Sequence, residues 1–271
     1  MPTPPRLFDR DLHRKRLDRA APGFAAADFL KRRAAQDVAE RLEPIMRNFS
    51  VAVDLAARTG AFREALAESE ARQRVCLLIE ADLSSAMLAG RSGPRLVADE
   101  ERLPFADQSL DLVVSTLALH WTNDVVGSLI QVRRALRPDG LFIGAFLGGV
   151  TLTELRQSLV AAEAEILGGA GSRVSPFADA ADAAGLLQRA GFTQPVADVD
   201  RVSVTYAHPL KLLADLRQMG ETNVLAERHP RALTRALLAR TCEIYAERFG
   251  TPDGRVPATF EILTLTGWTA R

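Results

Sequence analysis

Four carboxylates stand at the ends of short apolar runs: Asp54 after Val51-Ala52-Val53, Asp82 after Val75 to Ile79, and Asp99 and Glu100 after Arg95 to Ala98. Acids placed where buried parallel strands end can accept the hydroxyl and amino donors of a ligand lying across the strand tips. Asp54 opens the loop Asp54-Leu55-Ala56-Ala57-Arg58-Thr59-Gly60, and Gly60 supplies backbone freedom for a tight turn. Arg58 is the unusual member. Its guanidinium can pair with a ligand carboxylate, fill the space meant for the ligand, or turn to solvent. His120 precedes Trp121 after a fourth apolar run; it is a candidate general base or a packed, hydrogen-bonded wall residue. Asp82 has a second reading too, as the cap of a helix beginning near Ser84.

These residues need a scaffold that brings strand ends together. Residues 26 to 48 place Phe29, Leu30, Ala34, Val38, Leu42 and Ile45 at spacings of three and four, which predicts an amphipathic helix. Strands are predicted at Val51 to Leu55, Val75 to Ile79, Arg95 to Ala98, Leu110 to Ser115, Leu141 to Phe146, Val196 to Tyr206 and Ala258 to Thr269. Helices are predicted from Ser85, over 125 to 137, 152 to 167, and Ala180 to Ala190 with Gly191 as C-cap. Two more fall near 209 to 219 and 230 to 249. Alternation of this kind requires crossovers. The expected fold is α/β, a Rossmann-like, doubly wound, seven-stranded, mostly parallel sheet with helical N-terminal and C-terminal additions. The expected organisation is a helical N-terminal lid over 1–48, a ligand-binding core over 49–150, and a C-terminal part of the same domain over 151–271 with a helical insertion near 207–250.

Composition narrows the function classes. Thirty-four Lys and Arg balance thirty-four Asp and Glu, so no overall field attracts nucleic acid or an anionic membrane. Cys76 and Cys242 stand far apart with no zinc spacing, and no metal is expected. No apolar stretch approaches the roughly 18 residues of a membrane span. The arginine-rich start is interrupted by Asp9, Asp11, Asp18 and Asp28, which predicts a charged helical lead-in rather than a transit peptide, and a cytoplasmic location. The arginines at 6, 10, 14, 16 and 19, with Lys15, read as a solvated helix face, and a docking patch for an acidic partner is the other reading. His13, His208 and His229 read as solvent-facing or structural.

The order Asp54 to Gly60, Asp82-Leu83-Ser84 with Met87-Leu88, Asp99 to Phe105, Leu119-His120-Trp121 and Arg134 to Gly140 resembles the class I S-adenosylmethionine (SAM) methyltransferases. Within them the chain is similar to the branch holding the malonyl-carrier-protein methyltransferase of biotin synthesis and the assembly factor of respiratory complex I. Phe8-Asp9-Arg10, Asp28-Phe29-Leu30, Met219 to Asn223 and Pro257 to Phe260 extend the likeness beyond the core. The resemblance implies SAM as cofactor, Asp54 and Gly60 at its methionine moiety, and Asp82 with Leu83 at the ribose. Asp99 and Glu100 would meet adenine, and Leu117 would close the pocket. The usual loop is Asp-x-Gly-x-Gly-x-Gly, so Ala56 and Arg58 replace two glycines.

The expected function is SAM-dependent methyl transfer to a protein-borne or carrier-bound substrate, with the lid and the insertion flanking the crevice. The alternative is a methyltransferase-fold assembly factor or arginine hydroxylase for a respiratory-complex subunit, with impaired SAM binding. A NAD-dependent dehydrogenase fits the sheet, but no Gly-x-Gly-x-x-Gly follows any strand.

Overall fold

A computed structural model of the chain describes residues 6–228 and 233–271. Among them seven strands form one sheet in the order β3-β2-β1-β4-β5-β7-β6. These are β1 (Phe49–Leu55), β2 (Val75–Asp82), β3 (Arg95–Val97), β4 (Leu110–Thr116), β5 (Leu136–Leu147), β6 (Thr193–Tyr206) and β7 (Val256–Trp268). The first five run parallel, and β7 is antiparallel to both β5 and β6. Every residue of β4 is buried, as expected of a central parallel strand covered on both faces. Chain order reverses between β1 and β4, and their carboxyl ends form the crevice where such sheets hold ligands.

Helices cover both faces. On one, α2 (Phe29–Leu42) and α3 (Ala61–Glu68) pack over Ala52, Leu112 and Ile143. On the other, α4 (Val125–Ala135) and α6 (Ala180–Ala190) pack over Val53, Phe142 and Leu263. Gly191 ends α6 at φ 83°, a left-handed cap that suits glycine. A third cluster joins α5 (Thr153–Leu167), α7 (Pro209–Gln218) and α8 (Arg235–Phe249) to the part of β7 containing Phe260 and Ile262.

The N-terminal helix α1 (Arg10–Ala20), capped by Asp9, does not stand apart. Asp9 N–H donates to the Val224 carbonyl (2.8 Å), Phe8 pairs with Leu225, and the Phe8 ring meets Trp121 at 5.3 Å. The N-terminal segment and the stretch after α7 therefore close on each other beside Trp121. The helix expected from Ser85 is instead a run of turns to Gly90. Gly90 at φ 74°, then Gly93 and Pro94, leave too few residues to propagate a helix before β3.

Candidate functional site

The loop after β1 keeps the backbone of a glycine loop without the glycines. Ala56 has φ 66°, Arg58 φ 52° and Gly60 φ 87°, all in the left-handed region that side chains disfavour. At Gly60 a Cβ would also meet the Arg91 guanidinium, which would have to move aside. Arg91 in turn binds the buried carboxylate of Glu80 (2.8 Å).

Arg58 points neither to solvent nor to an open carboxylate site. It is 2% exposed, and its Nη1 donates to Asp82 Oδ2 (2.9 Å), the atom that also accepts the Arg58 backbone N–H (2.8 Å). Asp82 Oδ1 accepts from Ser84 N–H (2.8 Å). Both oxygens of the acid expected at the ribose are thus engaged by the chain itself, and the bond to Ser84 is an Asx turn rather than a helix cap.

Arg10 does likewise one strand over. Instead of decorating a solvated face, it donates to Asp99 Oδ1 (2.7 Å), to Glu100 and to the Trp121 carbonyl (3.2 Å). His13, one turn on, is fully buried against Trp121 at 5.2 Å. Burial, with Arg58 and Arg10 nearby, holds its imidazole well below the usual histidine range. His208 caps α7 through the Leu210 N–H, and His229 lies outside the described residues.

Two buried groups complete the floor. Lys31 of α2 donates to the carbonyls of Ala56 and Thr116, both at 2.6 Å, tying the loop to the end of β4. Asp54 is fully buried, and neither carboxylate oxygen has a hydrogen-bond partner. Burial pushes the Asp54 carboxyl up to about 7 and the Lys31 ammonium down to about 8.

Beside this floor lies a cavity of about 210 Å³. Lys31, Arg58, Trp121 and Glu221 are among its lining residues, with Leu117, aliphatic residues of α5 and α7, and further polar and aromatic residues that include Asp28, Arg173 and Phe177. Leu117, at φ 49°, is buried in this wall, whereas Leu83 packs with Leu17 and Met87 under α1. His120 has no free ring nitrogen. Nδ1 accepts from Leu147 N–H (3.4 Å), which leaves Nε2 to donate to Glu221 Oε2 (3.2 Å). It packs behind the lining residues Trp121 and Phe177, at 5.3 and 5.9 Å, with both ring nitrogens engaged.

Sequence reasoning missed Lys31, Glu221 and Arg10. Lys31 had left a signal, since it falls on the same stripe as Leu30, Ala34 and Ala35, where a lysine has no solvent. Glu221 and Arg10 left none, because their partners are 89 to 101 residues distant.

An S-adenosyl cofactor can be tested against these atoms. The unpartnered Asp54 carboxylate suits the ammonium of its methionyl end, since a buried acceptor left without a donor is costly. At the ribose end both Asp82 oxygens are already engaged, by Arg58 and by the Ser84 N–H.

The methyltransferase domain family matches residues 53–144. "Arginine-hydroxylase NDUFAF5, mitochondrial" of Danio rerio is 39% identical over 269 residues, covering 97% of this chain and 82% of that protein. The malonyl-[acyl-carrier protein] O-methyltransferase of Halorhodospira halophila is 35% identical over 269 residues, covering 96% and 88%. Among solved structures, phosphoethanolamine N-methyltransferase 2 of Haemonchus contortus, in complex with S-adenosyl-L-methionine, superposes with a TM-score of 0.56 at 16% identity, over 96% of this chain and 60% of that one. With such identity along nearly its whole length, the chain belongs to the methyltransferase-domain family that includes NDUFAF5 and malonyl-[acyl-carrier protein] O-methyltransferase.

Proposed function

We propose that this chain is a SAM-dependent methyltransferase whose acceptor is presented by another protein. The observation that carries the reading is the unpartnered Asp54 carboxylate, buried at the β1–β4 crevice where loop and strand ends converge. When bound, SAM supplies an electrophilic methyl group on a sulfonium. The chain's own residues then bind and orient. Asp54 would accept the methionyl ammonium, Asp82 would take the ribose hydroxyls in place of Arg58, and Asp99 with Glu100, which Arg10 engages, would lie toward adenine. Leu117, Trp121 and the aliphatic wall exclude water. Such a site needs positioning more than a dedicated base, consistent with the engaged nitrogens of His120.

A protein-borne acceptor is supported by the cover beside the cavity: the N-terminal segment and the residues after α7 close on each other next to Trp121, which lines the cavity, and carry the charged pair Asp9 and Arg228, a surface suited to a macromolecular partner. The relatives' names point the same way, to an acyl-carrier protein in one case and to arginine in the other. A cytoplasmic location belongs to this proposal; the described residues contain no helix long and apolar enough to cross a membrane.

The test is a calorimetric titration with SAM, S-adenosylhomocysteine (SAH) and NAD, followed by incubation of lysate with methyl-labelled SAM. The expected result is binding of SAM and SAH, none of NAD, and label in the protein fraction. Label confined to small metabolites rejects the macromolecular acceptor, and binding of NAD alone rejects the reading. A second reading, arginine hydroxylation on a partner such as a respiratory-complex subunit, is favoured by Arg58 occupying Asp82 and by the whole-length likeness to NDUFAF5. Mass spectrometry of the modified protein separates the two, as an added methylene or an added oxygen.

A further inference from the structure

Most carboxylates and guanidinium groups around the cavity stand in ion pairs: Arg58 lies on Asp82, Asp28 binds Arg32 (2.9 Å), and Arg173 binds Glu163 (2.5 Å), while Lys31 donates to two backbone carbonyls and the nearby Asp54 carboxylate has no hydrogen-bond partner. Glu221 lines the same cavity, yet among the described residues no Lys or Arg nitrogen stands within ion-pair distance of it. Its Oε2 is held by Trp121 Nε1 (2.6 Å) and His120 Nε2 (3.2 Å). Among the described residues its Oε1 has no hydrogen-bond partner, and the side chain keeps 15% exposure, enough for a ligand to reach it.

The backbone is built to put it there. Gly220 has φ 76°, and a Cβ at that position would lie 2.9 Å from Leu17 of α1. Only glycine lets the chain leave α7 close enough to α1 for the next residue to enter the cavity. Two ring donors on one oxygen then fix the carboxylate's orientation and leave the other oxygen aimed at the occupant. Trp121 and Phe177 add aromatic wall, which also favours a cation.

We propose that Glu221 is the recognition carboxylate of this cavity, taking the ammonium or guanidinium of a side chain that a partner protein inserts. The inference rests on the reading of the cavity as an acceptor site. The stem of such a side chain would lie along Leu155, Leu159, Leu213 and Leu216. Trp121 and His120 are positioning residues, acting through Glu221.

The experiment compares three probes on the full chain by calorimetry, the N-acetyl methylamides of arginine, of its neutral near-isostere citrulline, and of lysine. Either charged probe should bind at least about tenfold tighter than citrulline, since a charge-assisted contact is lost in the neutral one. E221Q should bring the ratio close to one, whereas Glu221→Asp should keep a preference; thermal midpoints check that both are folded. Equal affinity of all three probes for the wild-type protein, or binding of none, overturns the proposal. So does a preference that survives in E221Q. A variant that weakens SAM but not SAH would assign Glu221 to the sulfonium and overturn it as well. Failure of SAH to bind the wild-type chain counts against the methyltransferase reading alone, because the probe comparison uses no cofactor.

Discussion

Arg58 holds a backbone geometry that costs a side chain about 1–3 kcal/mol, and Ala56 holds another. What compensates at Arg58 is the buried pair with Asp82. Breaking such a pair from one side costs about 3–5 kcal/mol, but in Arg58→Gly the two backbone donors to Asp82 remain and the strain is relieved. We expect the variant without ligand to lose roughly 2 kcal/mol by denaturant unfolding, and SAH to raise its thermal midpoint more than it raises that of the wild type. A variant that binds SAH worse than the wild type would make Arg58 a ligand contact. Asp54 gives a pH signature. Its carboxyl titrates at about 7 in the fold against 3.8 when free, so its contribution to stability is complete below pH 4 and is lost as pH rises to about 7. Denaturation midpoints should fall across that window for the wild type and fall less for Asp54→Asn. Equal slopes in the two proteins would contradict the assignment. Asp54, Asp82 and Asp99 were legible in the sequence because strand ends announce themselves through the apolar runs before them. Arg58 stood out in its loop but its pairing with Asp82 did not, and Arg10 was not legible, since a guanidinium on a polar helix reads as solvated until its distant partner is known.

At the scale of elements, the strands and most helices were legible for the same reason that they form. Periods of two and of three to four mark which face is buried, and Gly191 closes α6 as its position predicts. The segment from Ser85 failed because its apolar spacing is intact but its length is not; turns satisfied by i→i−3 bonds end at Gly90. The helix α1 is the element whose weight was least visible. It buries Leu17 and His13, precedes Phe24, and carries the only cation within ion-pair distance of Glu100 among the described residues. Each large apolar side chain is worth about 1.5–3 kcal/mol when buried, and Glu100 would be left as an uncompensated buried charge. Deleting residues 1–20 should therefore remove most of a stability that is typically about 5–15 kcal/mol, seen as loss of a cooperative unfolding transition. A truncated chain that unfolds at the wild-type denaturant concentration would show that α1 is an appendage.

Across the whole molecule, the sheet joins two kinds of order. Strands β1 to β5 follow the parallel winding that their alternation with helices implies, while β7 enters between β5 and β6 and runs against both. Its twelve registered pairs with β6 make the longest ladder in the sheet, yet α7 and α8 separate the two strands in sequence. During synthesis β6 leaves the ribosome with no neighbour to pair with, since β7 is its only partner in the sheet. It must wait, as an open edge, until the segment that carries α7 and α8 has also been made. Pairing over so long a separation is slow. The same stretch of chain carries α7, whose Leu213 and Leu216 line the cavity beside Glu221, so the edge of the sheet and the cavity wall are completed by one segment.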